Sequence, residues 1–463
     1  MDLFSELGLK DRAFIPYLNT GTQYDLATGS FIPGMNGSMV LNGGLAGTNA
    51  VVGRPQLYKS TTALGLVMSA LAIYPESRAM VYDTEFSQTE ERLCKIVDNP
   101  LIEYENLEDR LHLSDKSQYS AESHFKLLQE AAASRLKNQK DYMVETPFLN
   151  PKTGKPYLMW IPLIVAYDSW SKMSSDAVME VLERKDVSST DTNMMFMRDG
   201  MVKTKIMGQI PSFAAKYGIY FMLTAHVGDK FELNPYAASP KQLQYMKGTD
   251  KIKGVGSDFN FLASTLIQMH SAKVLQDNDK QCLYPDQFSN AVELSQVTSV
   301  IMRCKNNMSG TQVSPVISQQ LGLQSALSNY NYLKEHDYAG LVGNKVTHKP
   351  ALLAGADDQT MGRTTVRAKI TDYRTARAIE IMTQFHHIQN NWSLRDMPIN
   401  FTITIEQMAE QLAKGSTYTM NDILESTGYW TYGKSKRNYM SIFDIIAMME
   451  YRYVPKWLAV KTK

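Results

Sequence analysis

The sequence predicts an α/β protein built on a mainly parallel sheet flanked by helices, with a smaller α+β region at the C-terminal end. Three observations carry this. A short apolar run, Ala50–Val52, leads through a glycine-containing turn into Lys59-Ser60 and a proline-free helical stretch, Ser60–Tyr74, closed by Pro75. From about residue 49 to 305, short apolar runs alternate with helical stretches: Ala79–Tyr82, Leu163–Tyr167, Tyr220–Thr224, Ser264–Gln268 and Ser299–Met302. Strands alternating with helices are the mark of a parallel sheet. Beyond about 325 the pattern changes, with helical stretches at 371–391 and 404–414, a strand at 400–405 and an aromatic-rich end.

The chain divides accordingly. Residues 1–48, rich in Gly, Asn and Thr, form an N-terminal arm with an amphipathic start at Leu3, Phe4 and Leu7. Residues 49–325 form the core, and 326–463 a C-terminal region that is partly a separate small domain. Within the core, 136–160 contains an Asn150-Pro151-Lys152-Thr153-Gly154 turn between extended residues, which predicts a projecting hairpin insertion.

The bulk composition excludes several classes. With 44% hydrophobic and 21% charged residues the chain is globular rather than disordered. A formal net charge of +1 means that any nucleic-acid contact must come from local patches. Cys94, Cys282 and Cys304 are too widely spaced for a metal site or a disulfide framework, which suits a reducing cytoplasm. Met1–Lys10 has no apolar signal-peptide core, and Ala63–Tyr74 is too short to span a bilayer, so no membrane association is expected.

The most specific feature is the segment Gly53-Arg54-Pro55-Gln56-Leu57-Tyr58-Lys59-Ser60-Thr61. It fits the phosphate-loop pattern G-x-x-x-x-G-K-[ST], except that Tyr58 stands at the second Gly. In such a loop, backbone N–H groups wrap the phosphates of a nucleoside triphosphate, the Lys neutralises charge and the hydroxyl goes to Mg²⁺. ATP and Mg²⁺ are therefore the expected ligands, with Ser60 and an acid on a neighbouring strand holding the metal. Leu163–Asp168 is an apolar run ending in that acid, the Walker B pattern. Met80–Phe86 is another strand, ending in Asp83 and Glu85. At the carboxyl edge of a doubly wound sheet, Glu85 can orient and deprotonate water. Tyr220–His226 brings His226 to the same edge, where it can sense the γ-phosphate.

These elements, in this order, resemble the RecA-type recombinases, and in particular their tailed-bacteriophage branch, the UvsX proteins. That branch tends to carry an aromatic residue at the position of Tyr58, and its motifs are similar to Tyr82-Asp83-Thr84-Glu85-Phe86, Asp168-Ser169 and His226. The resemblance covers roughly residues 15–345. It implies a RecA-like ATPase core with Lys59, Glu85 and His226 as catalytic residues, and a DNA-dependent ATPase that forms helical filaments for homologous pairing and strand exchange in phage recombination, repair and replication. The implied partners are single-stranded and duplex DNA, further copies of the chain with ATP at the subunit interface, and mediator and single-strand-binding proteins. The implied setting is the host cytoplasm or a phage replication compartment.

The resemblance also implies two DNA-binding loops. The first falls near 186–200, with Met194, Phe196 and Arg198. The second falls near 227–258, with Phe231, Tyr236, Tyr245, Lys247, Lys251, Lys253, Gly254 and Gly256. Cations for phosphates, aromatic or apolar groups for bases and glycines for close approach suit single-stranded DNA. Family members insert a basic pair into the neighbouring subunit's ATP site. Lys305 takes the first of these positions and Asn307 the second, a departure for which Arg303 compensates from the same strand face. Two other readings are a hexameric replicative helicase of the same fold, which often has Arg-Pro in its loop as at Arg54-Pro55, and a weakly hydrolysing ATP-dependent DNA-binding scaffold.

Overall fold

A computed structural model describes residues 14–115, 119–183, 191–230, 241–256, 258–287, 289–392, 401–415 and 417–459. Its centre is a twelve-stranded sheet. We number its strands β1 (Thr48–Gly53), β2 (Arg78–Asp83), β3 (Val97–Asp98), β4 (Leu111–Asp115), β5 (Leu163–Asp168), β6 (Ile219–Asp229), β7 (Asp250–Lys253), β8 (Thr265–Val274), β9 (Leu294–Cys304), β10 (Gln312–Val313), β11 (Val316–Ser318) and β12 (Gly322–Gln324). The order is β3-β12-β11-β9-β8-β1-β6-β5-β2-β4, with β7 paired to β6 and β10 to β9. Six neighbouring strands, β8, β1, β6, β5, β2 and β4, are mutually parallel. All five apolar runs of the core lie in strands, except that Ser264 falls just before β8.

Burial on both faces explains why these strands read as continuous apolar runs. All six residues of β1 and all six of β5 are buried. One face is covered by helix α1 (Lys59–Ile73) and the N-terminal arm. The other is covered by α2 (Ala121–Lys137), α3 (Asp191–Tyr217) and the chain between 243 and 263. The large mostly parallel sheet flanked by helices is compatible with a RecA-like core.

The parallel register brings residues of five strands, β2, β5, β6, β1 and β8, towards one sheet edge. Asp83 lies opposite Asp168, Tyr167 opposite Leu223, and Gly53 opposite both His226 and Met269. Motifs that are far apart in sequence therefore meet at one sheet edge.

Three segments differ from the sequence expectation. The 136–160 insertion is a hairpin, Met143–Leu149 against Pro156–Trp160, but it does not project along its length. Its Phe148 is fully buried, edge-on to Trp430 at 5.1 Å, so an apolar contact holds it down. The strand at 400–405 is not formed among the described residues, 401–405. Thr404 and Gln407 make a capping box that starts α6 (Ile405–Ala413), and these side-chain bonds to the backbone override the apolar alternation. Finally, residues 191–200 of the first expected DNA loop are helical, as the start of α3. The absence of Pro before position 211 permits this.

The C-terminal region is mainly helical, with α4 (Ser325–Glu335), α5 (Tyr373–Asn391), α6 and α7 (Ile442–Met449), plus a two-stranded hairpin, Leu341–Gly343 with His348–Pro350. One apolar cluster joins these helices to Leu26, Leu41, Leu294 and Val316 of the arm and the sheet. The arm itself is packed. Asn19 is fully buried, donates to the Gly43 carbonyl at 2.9 Å and accepts from the Trp430 N–H at 3.0 Å.

Candidate functional site: a strand-to-helix loop and the carboxyl edge of the sheet

The loop 54–58 joins β1 to α1. Two of its residues, Gln56 (φ 63°) and Tyr58 (φ 55°), adopt the left-handed conformation that a non-glycine side chain disfavours by about 1–2 kcal/mol. Tyr58 thus takes the backbone shape expected of the Gly it replaces. Its hydroxyl is 3.2 Å from Ser295 Oγ on β9, and its ring packs at the edge of the apolar cluster under α1. These contacts offset the strain. Tyr58 is also the N-cap of α1 and provides no side-chain cap, and the first turn of the helix has no acid. The amino-terminal N–H groups of a 15-residue helix are therefore left for an anion, with the positive end of the dipole behind them. Lys59, at the helix start, is buried.

Asp168, at the end of β5, is the hub beside this loop. Its Oδ1 accepts from Ser60 Oγ at 2.9 Å and from Thr224 Oγ1 of β6 at 2.7 Å. Burial pushes its carboxyl above the ordinary carboxylate range, while the two hydroxyls and the charge of Lys59 pull the other way and the charge of Glu85 raises it further. A carboxylate and a hydroxyl are the hard-oxygen donors that suit Mg²⁺, which takes few protein ligands and keeps waters and substrate phosphates. Among the described residues no three His, Cys, Asp or Glu side chains gather as a metal site. Ser60 and Asp168 fit the metal role expected of them.

Asp83 and Thr84 are builders of this edge. Asp83 accepts from the backbone N–H groups of Glu85, Ser87 and Gln88 at 2.9, 2.7 and 2.8 Å, folding the chain back after β2. The Thr84 N–H donates to the Asp168 carbonyl at 2.7 Å, and the Ser169 N–H donates to Thr84 Oγ1 at 2.8 Å, which ties the ends of β2 and β5 together. Glu85 is left exposed at the edge, and its Oε1 is 3.1 Å from His226 Nε2. The two groups proposed from sequence as base and sensor are therefore in contact.

His226 is also the point where β6 begins to pair with β7. His226 lies opposite Lys253, Gly228 opposite Lys251 and Asp229 opposite Asp250. Lys251 and Lys253 are exposed and share one strand face, while Ile252 between them is buried. Lys247 and Tyr245 are also exposed. Gly254 and Gly256 have another explanation than approach to DNA. A Cβ on Gly254, whose φ is +69°, would sit 2.7 Å from the Ser171 carbonyl oxygen, and one on Gly256 would sit 2.9 Å from the Thr204 Cα. Their open side is filled by protein. Arg198 is exposed on α3, the side chains of Met194 and Phe196 lie outside the described residues, and so do Phe231 and Tyr236.

Arg54, Pro55 and Gln56 are exposed, while Leu57 and Thr61 are half-buried. Arg54 does not point its charge into the loop: its Nη2 lies 2.6 Å from Asp229 Oδ1 and 2.9 Å from Asp250 Oδ1. A cavity of about 430 Å³ opens next to Gln56, Tyr58 and Thr61, bounded by Arg92, Ile96 and the turn from Ser318 to Gly322, and is large enough for a nucleobase.

Arg303 and Lys305 are not brought to this loop. The Lys305 N–H donates to the Ser264 carbonyl, and the Ser264 N–H to that of Thr48, at the opposite end of β1 from Gly53. Five residues of strand separate the two levels, roughly 17 Å. Arg303 Nη1 is held by the Asn260 carbonyl at 3.1 Å, and Asn307 Nδ2 by that of Leu26 at 3.0 Å.

Sequence reading missed Thr224, Asp229, Asp250 and the structural part played by Asp83. Thr224 lies two residues before His226, on the same face of β6, and that alternation was the available signal. Nothing in the sequence pairs Arg54 with residues 175 and 196 positions away. No family model matches the chain, and no curated protein matches it.

Proposed function

We propose that this chain is an ATP-dependent, single-stranded-DNA-binding recombinase of the RecA type, a DNA-dependent ATPase that assembles as a helical filament. The observation that carries the reading is the convergence of Lys59, Ser60, Asp168, Glu85 and His226 at one sheet edge, around a helix start without a cap. In this reading the N–H groups of the loop and Lys59 hold the triphosphate, and the 430 Å³ cavity takes the base. Ser60 and Asp168 hold Mg²⁺, which would neutralise phosphate charge as the terminal bond breaks. Glu85 accepts the proton of the attacking water. His226, bonded to Glu85 and paired opposite Lys253, relates the state of the site to the second loop. Arg303 and Lys305, far from their own loop, act on a neighbouring copy.

Electron microscopy of the protein with single-stranded DNA and a slowly hydrolysed ATP analogue tests this. Extended helical filaments that vanish without nucleotide are the expected result. Closed rings would replace this reading with the helicase, and dispersed particles with the scaffold. Lys59→Ala should abolish nucleotide binding in a direct titration, and tight binding by that variant would remove the loop from the site.

A further inference from the structure

We infer that Thr224 is the positioning residue for Asp168: its hydroxyl turns the carboxylate so that Ser60 and Asp168 together can hold a divalent cation. This rests on the nucleotide reading above and adds a residue to it. Along β6, one face carries Tyr220, Met222, Thr224 and His226. The first two belong to the apolar cluster under α1. Thr224 is only 1% exposed, so the alternation brings a hydroxyl to a place where packing alone asks for an apolar side chain. A buried hydroxyl is costly unless it is hydrogen-bonded. Thr224 Oγ1 donates to Asp168 Oδ1 at 2.7 Å.

The strand register explains the meeting. Leu223 lies opposite Tyr167, so the next residues of the two parallel strands, Thr224 and Asp168, are neighbours in one row across the sheet. Val51 lies on the far side of Thr224, and Asp83 on the far side of Asp168. Asp168 therefore has an acceptor on one flank and a donor on the other. Asp83 already serves the N–H groups of Glu85, Ser87 and Gln88 and offers Asp168 no proton.

Oδ1 of Asp168 takes the bonds of both hydroxyls, Thr224 and Ser60, and among the described residues no hydrogen bond reaches its Oδ2. A carboxylate oxygen accepts about two hydrogen bonds, so Oδ1 is filled and Oδ2 is the oxygen left for a cation. The two hydroxyls are not equivalent. Ser60 is half-buried on α1 and is itself one of the proposed metal ligands. Thr224 is buried in the sheet between β1 and β5, and its branched side chain is stiff about χ1. It is the fixed partner that sets the direction of the acid.

Calorimetric titration of a non-hydrolysed ATP analogue into the full chain tests this, in EDTA and over a series of Mg²⁺ concentrations. Mn²⁺ binding to the analogue complex, followed by electron paramagnetic resonance, is the second readout. Thr224→Val keeps nearly the same shape and removes the donor. It should bind the analogue in EDTA as the parent chain does, but need about 10–100-fold more Mg²⁺ or Mn²⁺, the usual cost of losing a partner that orients a metal ligand. Thr224→Ser restores the donor and should return the requirement to near that of the parent. A parental metal requirement in Thr224→Val overturns the inference. Equal losses in the Val and Ser variants, or a loss already present in EDTA, also overturn it and assign Thr224 to packing. The nucleotide reading survives each of these results. A parent chain that does not bind the analogue overturns that reading and this inference with it.

Discussion

At the scale of single residues, the site is organised by what burial does to Asp168. A buried carboxylate needs compensation. Ser60 and Lys59 of α1 and Thr224 of β6 provide it, and a divalent cation would provide more. Glu85, by contrast, is exposed and has His226 as its neighbour, which leaves it free to meet a water molecule. Glu85→Gln should therefore retain nucleotide binding and lose turnover by about 10²–10⁴-fold, the usual contribution of a general base. A phosphate-release assay at saturating ATP reads this, and near-normal turnover would move the base elsewhere. That Lys59, Ser60, Asp168 and Glu85 come together at one sheet edge was legible from motif order. The place of Tyr58 was legible only as an exception, because its left-handed φ and its bond to Ser295 depend on β9.

At the scale of elements, strands were more legible than loops. An apolar run buried on both faces has few alternatives, so the five core strands follow from composition. The 227–258 region does not. Its described residues, 227–230, 241–256 and 258, are a continuation of β6, a stretch in which Met246 packs onto the sheet, and a return strand β7 whose Ile252 does the same. Its glycines serve protein packing, and its exposed cations reduce to a few lysines with Lys251 and Lys253 side by side. Replacing both with Ala should weaken single-stranded DNA binding and lower the slope of log K against log salt by about 1.4, two contacts at roughly 0.7 each. Binding measured from low to moderate salt decides the matter, since an unchanged slope assigns these lysines to solvent. The start of α3 is the other case. The resemblance places a loop there, but nothing in these residues breaks a helix.

At the scale of the molecule, the two ends of the parallel strands carry different chemistry. The loop, Asp168, Glu85 and His226 occupy the carboxyl edge, while Arg303 and Lys305 occupy the other. One chain cannot bring them together, which is why the proposed function needs a second copy. The arm and the C-terminal region each hold a buried acid. Asp25 accepts from the N–H groups of Thr20 and Gly21, and burial pushes its carboxyl up to about 7. Asp444 accepts from the Met39 and Ser441 N–H groups and is pushed up to about 6. Both folded values exceed the unfolded value near 4, so the native chain holds protons that the unfolded chain releases. Their contribution to stability is full below pH 4 and is lost as pH rises through 6 to 7, by on the order of 1 kcal/mol per pH unit for each group. Thermal melting between pH 4 and 7 should show a smaller fall in Tm with rising pH for Asp25→Asn than for the parent chain, whatever the variant's absolute stability. An identical slope would mean that Asp25 is ionised throughout.

The sequence by itself determined the sheet, the helix after the loop, the hairpin at 150–154 and the residue types gathered at the carboxyl edge. These follow from local periodicity, glycine and proline placement, and short motifs whose spacing is a matter of one strand and one turn. Only the tertiary structure decided that Thr224 joins Ser60 on Asp168, that Glu85 meets His226, that Arg54 spans Asp229 and Asp250, and that Phe148 and Asn19 both meet Trp430. Each of these contacts joins residues more than fifty positions apart, and its energy comes from burial and opposed charge that exist only once the sheet has formed. A capping residue can be read from four letters of sequence, but an ion pair between a loop and a distant strand end cannot, because the partners are chosen by the register of the strands between them.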